Sequence, residues 1–289
     1  MSIIERLTTG LNDKVANIGI GLGESEFHNN KILYAAIKFL NNFRKNIFIK
    51  ITLFGRAEYI DLILKNSSYE KYKEDILLVD SNEPEKELIN SLNQFEVNSA
   101  IRGSFSSSKF LSIVKDNFKI TQLQRLALLE ASNGYQFFFG PVGIDECRAF
   151  ETKINYINEA LNQLHSFRIN PIISILSGGR IDDQDRDERV KKSINDAENL
   201  VKYFKNINSK LEIYHDEILI EQSIERQSNL IIAPDGISGN LIYRTLVHLG
   251  GGKAYGAINI GLEKTIIDTS RVGNLNEIYG ALILALSLS

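Results

Sequence analysis

Between Asn229 and Glu277 a short apolar run, a proline–aspartate turn, a helix-period stretch and a triple glycine follow in one segment, and that order admits few folds. Leu230 to Ala233 is apolar and stops at Pro234 and Asp235, as a buried strand does at its functional edge. Gly236, Ser238, Gly239 and Asn240 suit a tight bend. Ile237, Leu241, Ile242, Leu246, Val247 and Leu249 then recur at helical spacing until Gly250, Gly251 and Gly252 end the helix. The prediction is a strand, a polar loop and a helix whose N-terminus presents bare N–H groups. Two more strands are predicted over 257–260 and 265–267, the second running into Asp268, Thr269, Ser270 and Arg271. Open α/β sheets hold ligands at the carboxyl ends of strands, so this cluster of a hydroxyl, a guanidinium and carboxylates is the leading site.

The rest of the chain alternates in the same way. Strands are predicted over 14–20, 48–53, 76–79 and 99–101, with helices over 27–40, 57–64, 84–92 and 110–114 between and after them. Such alternation argues for a mainly parallel sheet. Residues 123–129 and 136–139 read as a hairpin turned at Ser132, Asn133 and Gly134. Gly140, Pro141, Val142 and Gly143 follow as the clearest punctuation, which places a domain crossing there. The expected domains are 1–146 with 256–289, and 147–255. The second holds helices over 150–167 and up to Phe204, with a strand over 171–176 that leads into Ser177, Gly178, Gly179 and Arg180. The charge run from Asp182 to Glu188 reads as a solvated helix start.

Composition narrows the function classes. A net charge of −3 gives no general attraction to nucleic acid or to an anionic membrane. Cys147 is the single cysteine and the four histidines are scattered, so neither a disulfide framework nor a sequence-adjacent metal set is expected. No stretch nears the roughly 18 apolar residues of a membrane helix, and a cytoplasmic protein is the expectation.

Gly19, Gly21 and Gly23 follow the first strand in a G-x-G-x-G spacing, not the G-x-G-x-x-G of a dinucleotide site. Methionine-cofactor methyltransferases carry an acid two residues before the first such glycine, where this chain has Asn17. The second strand ends in Phe54, Gly55 and Arg56 without an acid for a ribose. A tight strand-to-helix turn is the simpler reading, and methyl transfer would need a pocket beside these glycines with room for adenosine.

The residues Pro234, Asp235, Gly239 and Asn240, the pair Tyr243 and Arg244, the run Ala254 to Gly256, Lys264, and Asp268, Ser270 and Arg271 together resemble the phosphate acetyl and butyryl transferases. Within that family the methanogen marker branch, for which a methyltransferase label is in use, is most similar. Fainter similarity covers 101–111 and 173–180. The resemblance implies two α/β domains flanking a cleft, a fold similar to isocitrate and isopropylmalate dehydrogenases, and a homodimer. It implies binding of a small phosphorylated anion and coenzyme A or a related thiol, with acyl transfer between acyl phosphate and thiol. Such chemistry needs an anion clamp, a group that takes the thiol proton and donors to the carbonyl oxygen. Ser270 then donates to the transition state and Arg271 binds phosphate, unless Arg271 is an interdomain ion pair. Glu277 stands at the step of the family's catalytic aspartate, but Asn274 and Glu277 also read as a capping box. Asp268 is the alternative base or a strand-end carboxylate.

Arg102, Ser106 and Ser107 form the substrate loop that the resemblance implies, or cap the helix after it. His248 replaces an arginine of the family, and the loop Ser177 to Arg180 departs from the family's pattern of hydroxyl residues, with Arg180 restoring a charge. Asp235, Gly239 and Asn240 line the site or close the turn. The alternatives to acyl transfer are a methanogenesis-linked methyltransferase and a non-catalytic cofactor-binding or regulatory subunit.

Overall fold

The apolar runs and helix-period stretches of the first 121 residues become a parallel sheet with its crossover helices. A computed structural model describes residues 1–9, 11, 14–45, 47–270 and 273–289. The elements in order are α1 (Ile3–Thr8), β1 (Val15–Gly21), α2 (Glu26–Phe43), β2 (Phe48–Gly55), α3 (Ala57–Leu64), β3 (Ile76–Asp80), α4 (Pro84–Asn93), β4 (Ser99–Ile101) and α5 (Ser107–Phe118). Neither α1, closed by a Ser2/Glu5 capping box, nor a short 3-10 turn at Tyr69–Tyr72 was expected from the sequence. β1 pairs in parallel with β2 on one side and with β4 on the other. Its residues from Ile18 onward are buried on both faces, which is why the strand reads as a nearly continuous apolar run. Gly21 is there because a Cβ would stand 2.2 Å from the Phe105 ring.

The next segment is built from β5 (Arg125–Glu130), β6 (Gln136–Gly140), α6 (Phe150–Ser166), β7 (Ile172–Ile175), α7 (Glu188–Ile207), β8 (Glu212–His215), α8 (Ile220–Glu225), β9 (Leu230–Ile232) and α9 (Gly236–His248). Strand order is β5-β6-β9-β7-β8, with β5 antiparallel to β6 and the remaining pairs parallel. Asp187 caps α7 by accepting from the Arg189 and Val190 N–H groups, so the charge run does lead into a helix. β8 and α8 lie in a stretch for which no element was expected from the sequence. Among the large side chains of α9, Ile237, Leu241 and Leu249 just beyond it are exposed, and the buried residues of the helix are Gly236 and Gly239.

The chain ends with β10 (Lys253–Asn259), β11 (Thr265–Asp268) and α10 (Leu275–Leu288). β11 is antiparallel to β10 and lies parallel against β4, while α10 packs on α2 and on β4. Ile278 and residues 280–286 of α10 are buried, which makes this helix the core of its unit. The described residues form two compact units, Met1–Thr121 with Ala254–Ser289, and Gln122–Lys253. The first crossing therefore precedes the hairpin, whereas the sequence placed it at the glycines that follow it. The reason is long-range pairing: β6 joins β9, so β5 and β6 belong with the second unit. No helix of the described residues is long and apolar enough to cross a membrane.

Candidate functional site

In the first unit β4 and β11 run in parallel, and their register pairs Ile101 with Ile267. The residues that follow, Arg102 and Asp268, therefore emerge side by side at the carboxyl edge. The Arg102 N–H donates to the Ile267 carbonyl at 3.0 Å, its Nε donates to the Asp268 carboxylate, and its Nη1 donates to the Phe105 carbonyl at 2.7 Å. Arg102 is 4% exposed and Asp268 8%, so this ion pair is buried. The expected role of Arg102 as a phosphate ligand thus meets a guanidinium already engaged. Asp268, the alternative base, is held by the same pair.

One residue further, the Thr269 hydroxyl donates to the Gly103 carbonyl at 3.1 Å and ties the two loops together. The Ser270 N–H donates to Oε1 of Glu277, a carboxylate 4% exposed at the start of α10. The Asn274 Oδ1 accepts from the Glu277 N–H at 2.9 Å, which is half of the predicted capping box. The Glu277 carboxylate turns to the Ser270 loop, where a Cβ on Gly273 would lie 2.6 Å from Oε2. Arg271 lies outside the described residues. Ser107 opens α5, and Ser106 precedes it as an N-cap whose side chain makes no capping bond but meets the Ser108 hydroxyl at 3.3 Å. Among the described residues, then, Arg102, Asp268, Ser270 and Glu277 come together through β4, β11 and α10, with Ser106 and Ser107 on the loop that begins at Arg102.

Behind that loop the carboxyl ends of β1, β2, β3 and β4 enclose a pocket of about 440 Å³, with Gly23, Arg56, Glu85, Ser106 and Lys109 among its walls. The sequence reading required such a pocket beside Gly23 only for methyl transfer.

The remaining candidates belong to the second unit. Asp235 caps α9 by accepting from the Ser238 N–H at 2.8 Å. Gly239 passes so close to the chain that a Cβ would stand 1.9 Å from the Pro141 carbonyl oxygen. Asn240 Nδ2 donates to the Val142 carbonyl at 2.8 Å. These three residues join the turn before α9 to the segment after β6. His248 is exposed at the end of α9 with its ring edge-on to Tyr243. Arg180 is exposed, and its N–H donates to Asp183 at 3.0 Å.

Sequence reasoning missed one polar cluster here. Asp216, 1% exposed after β8, accepts from the hydroxyls of Ser174 and Ser223 and from Arg226 Nη2 at 2.9 Å. Beside it, His215 Nε2 lies 2.9 Å from the Ser177 hydroxyl, which donates to the Gly179 carbonyl. A serine inside the apolar run 172–176 and an Asp directly after the short stretch Ile213–His215 were the available signals. Since Ser177 gives its proton to Gly179, the His215 Nε2–H donates to Ser177, an arrangement that shapes the loop before Arg180. Burial holds the His215 imidazole below its ordinary value of 6.5, against the pull of Glu198, Glu217 and Asp216. The unfolded chain then takes up this proton first as pH falls. Stability is expected to decline as pH drops below about 6.5, and His215→Gln to flatten that decline in urea unfolding followed from pH 7.5 to 5.

The model of the family described as Phosphate acetyl/butaryl transferase matches residues 92–286. A protein of Methanosarcina barkeri (strain Fusaro), provisionally named methyltransferase mtx subunit X, is 39% identical over 235 residues, 81% of this chain and 84% of its own. Among solved structures, a branched-chain phosphotransacylase of Enterococcus faecalis V583 matches with a TM-score of 0.69 at 16% identity, over 95% of this chain and 99% of its own. A 4-hydroxythreonine-4-phosphate dehydrogenase of Klebsiella pneumoniae matches with a TM-score of 0.59 at 8% identity, over 94% and 99%. The expected fold, common to phosphotransacylases and a group of dehydrogenases, is the one found.

Proposed function

The chain belongs to the phosphate acetyl/butaryl transferase family, and from that premise we propose that it binds a phosphorylated or coenzyme A-like ligand and transfers an acyl group between an acyl phosphate and a thiol. The observation that supports this reading is the meeting of two motifs 166 residues apart, the Arg102 loop and the Asp268–Ser270 loop, at neighbouring carboxyl ends of parallel strands. In the reaction the thiolate sulfur attacks the carbonyl carbon. The C–S bond forms, the bond from that carbon to the phosphate oxygen breaks, and phosphate leaves with the electron pair. The thiol proton passes to the departing phosphate or to water.

We assign the Ser270 hydroxyl to the oxygen that gains charge in the transition state, and Arg271 to the phosphate. The two carboxylates take holding roles in this scheme. Asp268 neutralises Arg102, and Glu277 fixes the Ser270 amide. Ser270→Ala is expected to lower kcat for acetyl-coenzyme A formation by about 100-fold or more with an unchanged melting temperature. Glu277→Gln keeps an acceptor for the Ser270 N–H and is expected to retain turnover. A total loss in Glu277→Gln would instead make Glu277 the base, and an inactive wild type would favour the non-catalytic subunit.

One observation favours a second reading, methyl transfer. Gly23 does border a pocket large enough for an adenosine-sized group. The relatives' name points the same way. Titration with S-adenosylmethionine separates the two readings, because binding of that compound alone, with no coenzyme A or acetyl phosphate bound, would replace acyl transfer by methyl transfer.

A further inference from the structure

We propose that the first unit carries a ligand site of its own, separate from the Ser270 loop: a pocket for a ribonucleoside phosphate monoester above β1 and β4, with Arg56 holding the phosphate. Strand order decides the location. In the run β3-β2-β1-β4 the chain leaves β1 toward β2 on one side and later lands at β4 on the other. Crossovers departing in opposite directions open a crevice at the carboxyl ends of the two strands where the order reverses. The pocket of about 440 Å³ occupies that crevice, within the size range of small-molecule sites.

Its floor is preformed. The Gly23 N–H donates to the Ser104 hydroxyl at 2.7 Å, that hydroxyl donates to Asn29 Oδ1 at 2.7 Å, and Asn29 Nδ2 donates to the Gly23 carbonyl at 2.8 Å. This closed ring is buried, with Ser104 6% and Asn29 1% exposed. A floor so tied does not have to be ordered by its ligand.

Charge decides the ligand class. Of the four charged side chains in the lining, Lys109 and Glu85 neutralise each other at 2.9 Å, which leaves Glu24 and Arg56. Arg56 lines the pocket, is exposed, and makes no ion pair among the described residues. It follows the end of β2, the place where a nucleotide fold sets an acid against ribose hydroxyls or an arginine against a phosphate on the ribose. A guanidinium there fits the phosphate. The helices α3, α4 and α5 start around the same pocket, and none has a side-chain cap, so their first N–H groups add to the favourable field. Leu22 and Tyr59 provide an apolar wall for a base.

The test is calorimetric titration of the full chain with adenosine 3′,5′-bisphosphate, and separately with adenosine, inorganic phosphate and S-adenosylmethionine. Saturable binding of the bisphosphate, tighter than adenosine or phosphate, is expected. Arg56→Ala should weaken it by about tenfold or more without changing the melting temperature, because the side chain is exposed. Ser270→Ala should leave it intact. Absence of bisphosphate binding, equal binding in Arg56→Ala, or preference for S-adenosylmethionine would each overturn the proposal. Loss in Ser270→Ala would overturn it too, by moving the ligand to the Ser270 loop. The transferase reading fails separately, through missing turnover with bisphosphate binding intact.

Discussion

Arg102→Leu is expected to cost the folded protein about 3–5 kcal/mol, the usual result of removing one partner of a buried ion pair. The magnitude follows from what remains behind. Asp268 is 8% exposed, and without the guanidinium its carboxylate loses the charge and the N–H donor that Arg102 supplies, in a place with no easy route to water. The Phe105 carbonyl loses a donor at the same time. A double variant, Arg102→Leu with Asp268→Leu, should recover a large part of the loss, since it leaves no buried charge unpaired. Urea unfolding of the two single variants and the double variant forms the cycle. Single-variant losses below about 1 kcal/mol would mean that water reaches the pair. Acyl transfer should fall further than stability in Arg102→Leu, because the pair aligns the two loops whose meeting supports the transferase reading.

That pair also marks the limit of what could be read from the residues alone. β1, β2 and β4 were legible because parallel strands buried on both faces write themselves as apolar runs, and β3, an edge strand with Leu77 exposed, was legible from its apolar run alone. The strand end at Asp268 was legible for the same reason. Its partner was not, because a contact over 166 residues depends on β4 and β11 becoming neighbours, and neither strand carries a sign of that choice. Glu277 was legible by halves. Spacing revealed the Asn274 cap on its N–H, while the direction of its carboxylate depends on where the Ser270 loop lies. The glycines at 140 and 143 read as a domain crossing, yet a Cβ on Gly140 would stand 1.9 Å from the Tyr156 hydroxyl and one on Gly143 2.1 Å from a Glu146 carboxylate oxygen. They are glycines of close packing inside the second unit. Composition cannot separate that use from a linker.

Close packing of this kind underlies the other large effect, in Gly236→Ala, where a loss of about 3 kcal/mol is expected. A Cβ at Gly236 would stand 1.6 Å from the Gly143 carbonyl oxygen, a backbone atom that cannot rotate away as a side chain can. The collision falls at the first residue of α9, beside the Asp235 cap and the Gly236 N–H bond to the Glu146 carbonyl at 3.1 Å. Relieving it shifts one of those bonds, and a lost N-cap alone costs about 1 kcal/mol. Helix α9 has little with which to compensate, because its buried residues are the two glycines and its apolar row at Ile237 and Leu241 is exposed. Gly178→Ala is the control in the same unit, where the nearest atoms to a new Cβ are those of Ser193 at an ordinary 3.5 Å. It should fall within about 0.5 kcal/mol of the parent. Equal urea midpoints for the two variants would mean that the turn before α9 yields to a methyl group. The tie between Asp235, Gly239, Asn240 and the segment after β6 would then be looser than its distances imply.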